Sequence, residues 1–399
     1  LGNTNTRSAA FFGNVTYSWK GRYTINGTLR YEGTNGLGLS RQSRWLPTWN
    51  VSGAWNAHEE SWFDQKLGKV LSHLTLKASY SLTADRPPVT NALAIIKANT
   101  PWRYRTGNTE TGLERTSPAN PDLTYEKKHE LNLGLDAGFL NNRINMSVDW
   151  YKRNNYDLVG PIPTDGTDGF LVKYGNVAAM KSNGVELSLS TTNLKTKDFS
   201  WKTNFYSYVH NEITDLKARS RMINFISGVG YARKGYPSRA LFSVPFMGLT
   251  GDGLPTFRDQ EGNISITNVN FQESDPEKLK FLKYEGPTDP TNTGSLGNVF
   301  TYKGFTLNVF VTYSFGNVVR LYPAFKSRYT DLSAMPKEFR NRWRTPGDEA
   351  YTDIPTIATS RQVYDNPNLY RAYNAYNYSD ARIAKGDFIR MKELSLNYD

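Results

Sequence analysis

Two neighbouring stretches of the chain alternate between apolar and polar residues. The first, residues 130–137, carries Leu131, Leu133 and Leu135 at its odd positions, and polar residues or glycine between them. The second, residues 143–150, carries apolar residues at its even positions and ends at Trp150. Such alternation places one set of side chains on each face of a sheet. Each strand is about ten residues long, enough for a tilted strand to cross a bilayer.

The same pattern recurs and predicts about eleven strands. Nine lie at 7–19, 21–32, 48–57, 70–83, 183–193, 199–211, 294–302, 304–315 and 388–399. Short connections at 20–21, 139–142, 194–198 and 303–304 contrast with long ones at 86–122, 212–293 and 316–387, which we expect to be irregular. Residues 58–69 predict a short turn or helix, and residues 161–169 a turn-rich connection. Short turns alternating with long loops are typical of outer-membrane barrels, whose long loops are extracellular.

Composition narrows the class of protein further. The 399 residues have a mean hydropathy of −0.59 and no apolar run approaching about 18 residues, which excludes a helical membrane protein. A search for long apolar runs does not detect membrane-spanning β-strands, because their alternating residues have a low average hydropathy. The net charge of +11 suits anionic lipid phosphates or acidic solutes. Because the basic residues are scattered, we expect no nucleic-acid partner. The absence of cysteine excludes disulfides and thiolate metal sites within this stretch.

Five sequence runs are distinctive. They are Asn120-Pro-Asp-Leu-Thr-Tyr-Glu-Lys127, Leu131-Asn-Leu-Gly-Leu-Asp136, Leu140-Asn-Asn-Arg-Ile144, Lys181-Ser-Asn-Gly-Val-Glu-Leu-Ser-Leu189 and Phe388-Ile-Arg-Met-Lys-Glu-Leu-Ser-Leu396. Together these runs resemble the SusC/RagA family of TonB-linked outer-membrane transporters. Their order and spacing follow the family over nearly the whole chain.

The resemblance implies a fold and a function. The fold is an all-β, antiparallel transmembrane β-barrel, part of a 22-stranded plugged barrel with long extracellular loops. We expect residues 1–399 to form the C-terminal half of that barrel, with the N-terminal plug and the earlier strands outside this chain. The implied function is TonB-dependent import of oligosaccharides or oligopeptides across the outer membrane. The implied partners are a SusD-like lipoprotein lid, TonB, and outer-membrane lipid with lipopolysaccharide.

Catalytic and metal-binding signatures are weak. The four histidines lie far apart, and there is no nucleophile elbow, P-loop or zinc-protease motif. Asp252, Asp259, Glu261 and Asn263 surround glycines, but their spacing does not match a calcium-binding EF-hand loop, and two surface turns explain them better. We therefore expect a transporter with no catalytic residues, no bound metal and no cofactor.

The long connections supply the candidate binding residues. Aromatic side chains stand there beside arginines, and aromatic faces stack on sugar rings or peptide side chains while arginine supplies fixed donors. The candidates for contact with cargo or lid are Trp102, Tyr104, Trp343, Tyr373 and Tyr376. Packing between loops is the competing explanation for all five.

Two other classes of protein remain open from the residues alone. One is a secreted β-sandwich adhesin or carbohydrate-binding protein, and the other is an extracellular glycan hydrolase. Both favour strands of about five to six residues, whereas the alternating stretches here are about ten residues long. A barrel therefore explains the pattern better than either alternative.

Overall fold

The computed structural model describes residues 6–87, 93–102, 107, 109–205, 209–216, 222–227, 230–326 and 335–398. The chain forms two compact units. The sheet unit comprises Leu1–Ala218, Thr293–Thr312 and Arg390–Asp399, and the insert unit comprises Arg219–Asn292 and Tyr313–Ile389. Among the described residues, no helix has the length and apolar character that crossing a membrane would require.

Strands dominate the described residues. They are β1 (Ser8–Trp19), β2 (Tyr23–Thr34), β3 (Trp45–Asn56), β4 (Leu71–Asp85), β5 (Ile95–Asn99), β6 (Gly112–Ser117), β7 (Glu126–Phe139), β8 (Ile144–Pro163), β9 (Val172–Lys195), β10 (Phe199–Phe205), β11 (Val209–Leu216), β12 (Ala240–Ser243), β13 (Phe246–Leu249), β14 (Pro255–Arg258), β15 (Ile264–Ser265), β16 (Lys283–Pro287), β17 (Asn292–Tyr302), β18 (Phe305–Phe315), β19 (Val318–Arg320), β20 (Ile383–Lys385) and β21 (Phe388–Tyr398).

The helices are short. They are α1 (Arg41–Arg44), α2 (Phe63–Lys66), α3 (Met222–Ile226), α4 (Ser360–Asp365) and α5 (Leu369–Asn377). Single 3₁₀ turns occupy Ala57–Glu59, Lys278–Phe281, Lys337–Asn341, Asp348–Ala350 and Asp380–Arg382. The expected turn or helix at 58–69 is confirmed by the first of these turns and by α2.

One twelve-stranded sheet forms the framework of the sheet unit. Its order is β1-β2-β3-β4-β7-β8-β9-β10-β17-β18-β21, with β11 also paired to β9. The pairings given residue by residue are antiparallel, as in β7 with β8, where Leu133 faces Trp150. The order of the strands across the sheet follows the chain, apart from β11 and the strands that lie in other sheets. The strands expected from alternation are therefore confirmed, and the sheet has one strand more than the eleven expected.

Tight turns close one edge of this sheet, which we call the turn edge. They include residues 20–22, 140–143 and 303–304, and Lys20, Gly21, Lys303 and Gly304 adopt the left-handed backbone that suits hairpin turns. The opposite edge, here the loop edge, carries the connections 35–44, 86–125 and 164–171. Strands β10 and β18 also run toward the loop edge.

The turn-rich connection expected at residues 161–169 is present, but its bounds differ. It lies at 164–171, because β8 continues to Pro163 and β9 begins at Val172. Pro161 and Pro163 pair with Tyr174 and Val172 beyond the end of β7. Proline fits there because this part of β8 has an edge without a described partner strand, so its missing N–H interrupts no ladder.

The long connections are also more ordered than expected. Residues 86–122 contain the β5–β6 hairpin, and 212–293 and 316–387 contain β12–β16, β19, β20 and three helices. In the insert unit, small sheets surround an apolar core whose fully buried members include Phe242, Val244 and Phe257. Strands of two to six residues are too short to show alternation, so the expectation of irregular structure is wrong.

Candidate functional site

The two faces of the twelve-stranded sheet differ in chemistry. One face, the apolar face, carries Ile25, Val51 and Leu133, which are 58%, 54% and 45% exposed. The register aligns Ile25 with Gly53, and Ala78 with Leu133, so these residues form continuous apolar rows. A soluble protein rarely exposes so contiguous an apolar surface. The surface matches the lipid-facing band of a membrane barrel.

Aromatic side chains border the apolar face at the turn edge. Tyr23 stacks between Trp19 and Trp55, with ring centroids 5.8 and 6.4 Å away. Glu60, in the connection after β3, accepts hydrogen bonds from the Tyr23 hydroxyl at 2.6 Å and the Trp55 indole at 3.3 Å. The Tyr23 hydroxyl lowers the pKa of Glu60, with smaller help from Trp55 and Arg22. The rings are thus held with their polar atoms toward the edge, as at a membrane interface.

A second aromatic border lies toward the loop edge. Tyr31 stacks on Trp45 at 5.0 Å, and His129 stacks between Tyr80 at 5.7 Å and Tyr156 at 5.6 Å. Tyr23 and Tyr31 of β2 are separated by eight residues, or about 26 Å of strand. That span matches the apolar band about 25 Å tall between the two aromatic girdles of an outer-membrane barrel.

The opposite face, the polar face, is organised by ion pairs. Lys77 pairs with Asp136, which also accepts a hydrogen bond from Ser147 at 2.7 Å. The Glu130 carboxylate accepts a hydrogen bond from the Arg153 guanidinium at 3.1 Å. The same guanidinium lies 4.0 Å from the ring centroid of Tyr151. Charged side chains that are half exposed and paired belong to a surface in contact with water. The face is therefore suited to line an aqueous lumen.

A shallow polar depression lies in the middle of this face. Its volume is ≈ 340 Å³, and its lining includes Asn26, Ser52, Lys77, Asn132 and Asp149. Hydroxyl, amide, ammonium and carboxylate groups there offer both donors and acceptors to a polar solute. None of these residues is among the five contact residues predicted from the sequence. The signal was present, since they occupy the polar positions of alternating strands.

The five predicted contact residues differ in their exposure and in the unit to which they belong. Trp102 is 72% exposed and lies in an isolated bridge to Thr109, so its ring face is available to a ligand. Tyr104 lies outside the described residues. Trp102 belongs to the sheet unit, whereas Trp343, Tyr373 and Tyr376 belong to the insert unit.

Trp343 is held by its own unit. Its indole N–H donates to Glu349 at 2.9 Å, and its ring covers Gly253, where a Cβ would have no room. Gly253 also has a positive φ of 73°. Both this backbone conformation and the lack of room for a Cβ favour glycine at this position. The Trp343 indole lowers the pKa of Glu349, with further help from backbone N–H groups. Half-buried Trp343 thus fastens one loop to another.

Tyr376 is a core residue and Tyr373 is its partly buried neighbour. Tyr376 is 2% exposed, with Phe325 at 5.4 Å and Phe246 at 5.7 Å between ring centroids, and burial raises its pKa to about 12. The Tyr373 hydroxyl donates to the carbonyl of Thr356 at 2.9 Å. Both rings thus pack against other segments of the insert unit.

The acidic cluster around Asp259 makes local turns. Asp259 is buried, and its carboxylate accepts the backbone N–H groups of Glu261 at 3.0 Å and Asn263 at 2.9 Å. Within the described residues, no group of three or more His, Cys, Asp or Glu side chains has a metal-binding arrangement.

Comparison with known proteins places this geometry in a family. The model for the TonB dependent receptor-like β-barrel matches residues 2–327. TonB-dependent receptor P39 of Formosa agariphila is 24% identical over 433 residues, covering 98% of this chain and 40% of that protein. SusC of Bacteroides thetaiotaomicron is 30% identical over 218 residues, covering 53% of this chain and 21% of SusC.

A solved structure shows the same fold. The RagAB peptide transporter superposes with a TM-score of 0.77 at 24% identity, covering 98% of this chain and 41% of the transporter chain. The chain spans about 40% of the length of P39 and less of SusC. With its two aromatic borders and its ion-paired polar face, the chain belongs to the TonB dependent receptor-like β-barrel family, in its SusC/RagA branch, and is part of an outer-membrane protein.

Proposed function

We propose that the protein containing this chain imports oligosaccharides or oligopeptides across the outer membrane by TonB-dependent transport. The observation that carries the proposal is the twelve-stranded sheet with an apolar outer face between two aromatic borders and an ion-paired polar face. A wall of this kind separates lipid from an aqueous passage. The family membership supports transport, and not catalysis, as the use of that passage.

The domain assignment and partners belong to the same proposal. Residues 1–399 form the C-terminal half of a larger 22-stranded barrel, and the rest of the protein supplies the plug and the contact with TonB. The 40% coverage of P39 supports a longer protein. A SusD-like lipoprotein closes the passage from outside, as the pairing in the RagAB name suggests. Among the predicted contact residues that the structure describes, Trp102 is the best placed for contact with cargo or lid, because its side chain is 72% exposed.

The test is uptake by cells that carry the full-length protein. Cells are given labelled oligopeptide mixtures or labelled oligosaccharide mixtures, with and without TonB. We expect one class of cargo to accumulate in the periplasm only when both the transporter and TonB are present. The lipoprotein should copurify with the transporter from outer membranes. Accumulation that is independent of TonB would contradict the proposed mechanism.

A further inference from the structure

The apolar face changes character on β8 and β9 before the strands reach the loop edge. Along β8 this face carries Val148 and Trp150, and then Lys152 and Asn154. Along β9, Val185 is followed in the same direction by Asn183 and Lys181. Alternation keeps all of these residues on one face. On both strands the apolar residues thus give way to amides and lysines, which we call the lysine patch (Lys152, Asn154, Lys181 and Asn183).

The strand register concentrates the positive charge. Lys152 stands opposite Asn183, and Asn154 stands opposite Lys181, so the two lysines are diagonal neighbours about 7–8 Å apart at the backbone. Both lysines are exposed, and within the described part of the chain neither forms an ion pair. Asp157 pairs instead with Lys127 at 2.7 Å. The register also places Glu212 of β11 opposite Lys181 but not opposite Lys152. Because only one of the two lysines has an acidic residue opposite it, each lysine is tested separately.

The patch lies at the level of the second aromatic border. Lys152 stands opposite Leu131, next on the apolar face of β7 to His129, which stacks on Tyr80 and Tyr156. Trp150 precedes Lys152 on the same face. Aromatic rings of this kind mark the interface between hydrocarbon and headgroups. The ammonium groups therefore reach the headgroup layer, where lysine interacts with anionic lipid.

We propose that the lysine patch binds the phosphorylated headgroup of a glycolipid in the outer leaflet. Two ammonium groups and two side-chain amides offer the donors that phosphate oxygens and sugar hydroxyls accept. The patch faces away from the polar face, so cargo in the lumen does not reach it. The proposal rests on the proposed function for its orientation, with the loop edge outside the cell.

The experiment measures lipid retained by the full-length transporter. The protein is reconstituted in phosphatidylethanolamine vesicles containing either bis-phosphorylated lipid A or the same glycolipid without phosphates. After gentle extraction, bound glycolipid is counted by native mass spectrometry. The variants are Lys152→Gln, Lys181→Gln and the double variant. The control is Lys195→Gln, which removes the same charge from an exposed lysine at the turn-edge end of β9.

The wild-type protein should retain the phosphorylated glycolipid and not the dephosphorylated one. Each patch variant should weaken retention about fivefold, since a lysine near an anionic surface contributes about 1 kcal/mol. The double variant should approach 25-fold if the effects add, while Lys195→Gln and the wild type should agree. Equal retention of both glycolipids, or an equal loss in the control, would overturn the proposal.

Different results would refute glycolipid binding by the lysine patch and the proposed transport function. A double variant that retains glycolipid as the wild type does would refute the patch, while TonB-dependent uptake would remain intact. Enrichment of glycolipid placed only in the periplasmic leaflet would refute the orientation, and with it both ideas. Loss of uptake alone, with lipid retention unchanged, would refute only the proposed function.

Discussion

A lysine in place of Leu133 gives a sharp test of the membrane-facing surface. Leu133 lies on the apolar face of β7, and its side chain is 45% exposed. In a soluble protein a substitution at so exposed a position changes stability by about 0.5 kcal/mol or less. At the midplane of a bilayer, a lysine on the lipid face costs about 2–4 kcal/mol. The cost in the bilayer corresponds to a factor of about 30 to 700 in the folding equilibrium.

The assay is equilibrium unfolding by denaturant of the full-length protein in lipid vesicles, followed by heat-modifiable migration on a gel. Leu133→Ala separates the loss of the apolar side chain from the charge. Asn132→Lys is the matched control, because Asn132 lines the polar depression on the other face. We expect Leu133→Lys to destabilise the protein by about 2–4 kcal/mol relative to Leu133→Ala, and Asn132→Lys to change little.

Two outcomes would refute this reasoning. If Leu133→Lys and Asn132→Lys both changed stability by less than about 0.5 kcal/mol, neither face would meet lipid. If Asn132→Lys were the costly variant, the face assignment would be reversed, as after a register shift of one residue.

Three further predictions concern residues outside the apolar face. Tyr376→Ala should lower the free energy of unfolding of the insert unit by about 3–5 kcal/mol, as truncations of buried aromatic residues do. Trp102→Ala should leave the unfolding midpoint unchanged and weaken cargo or lid binding by about 0.5–1.5 kcal/mol. Equal destabilisation by both variants would contradict the assignment of Tyr376 to the core and of Trp102 to the surface. Because the pKa of Glu349 is lowered from 4.5, its stabilising contact with Trp343 is present above pH 4.5 and lost as the pH falls below it; tryptophan fluorescence should report an acid transition that Glu349→Gln lacks. Gly184→Val should displace the Tyr151 ring that covers this glycine and cost about 1–3 kcal/mol, and unaltered heat-modifiable migration would argue against that packing.

Local sequence determined the sheet. In a hairpin such as β7–β8, side-chain alternation alone assigns Leu133 to one face and Asn132 to the other, and the turn residues fix the register. Neighbouring strands pair in chain order, so a correct list of strands nearly gives the topology. The polar depression followed from the same alternation, although no single residue in it is conspicuous in the sequence.

Only the tertiary structure decided the rest. Tyr376 and Trp102 are both aromatic residues in long connections, yet Tyr376 is buried against Phe325 while Trp102 is exposed. Burial depends on contacts between segments far apart in sequence. Phe325 and Tyr376, for example, are 51 positions apart, and no local period of the sequence encodes their contact. Likewise, Lys152 and Lys181 form one patch only because the register of β8 and β9 places them diagonally. Sequence determines which face a residue takes, and long-range packing determines what it touches.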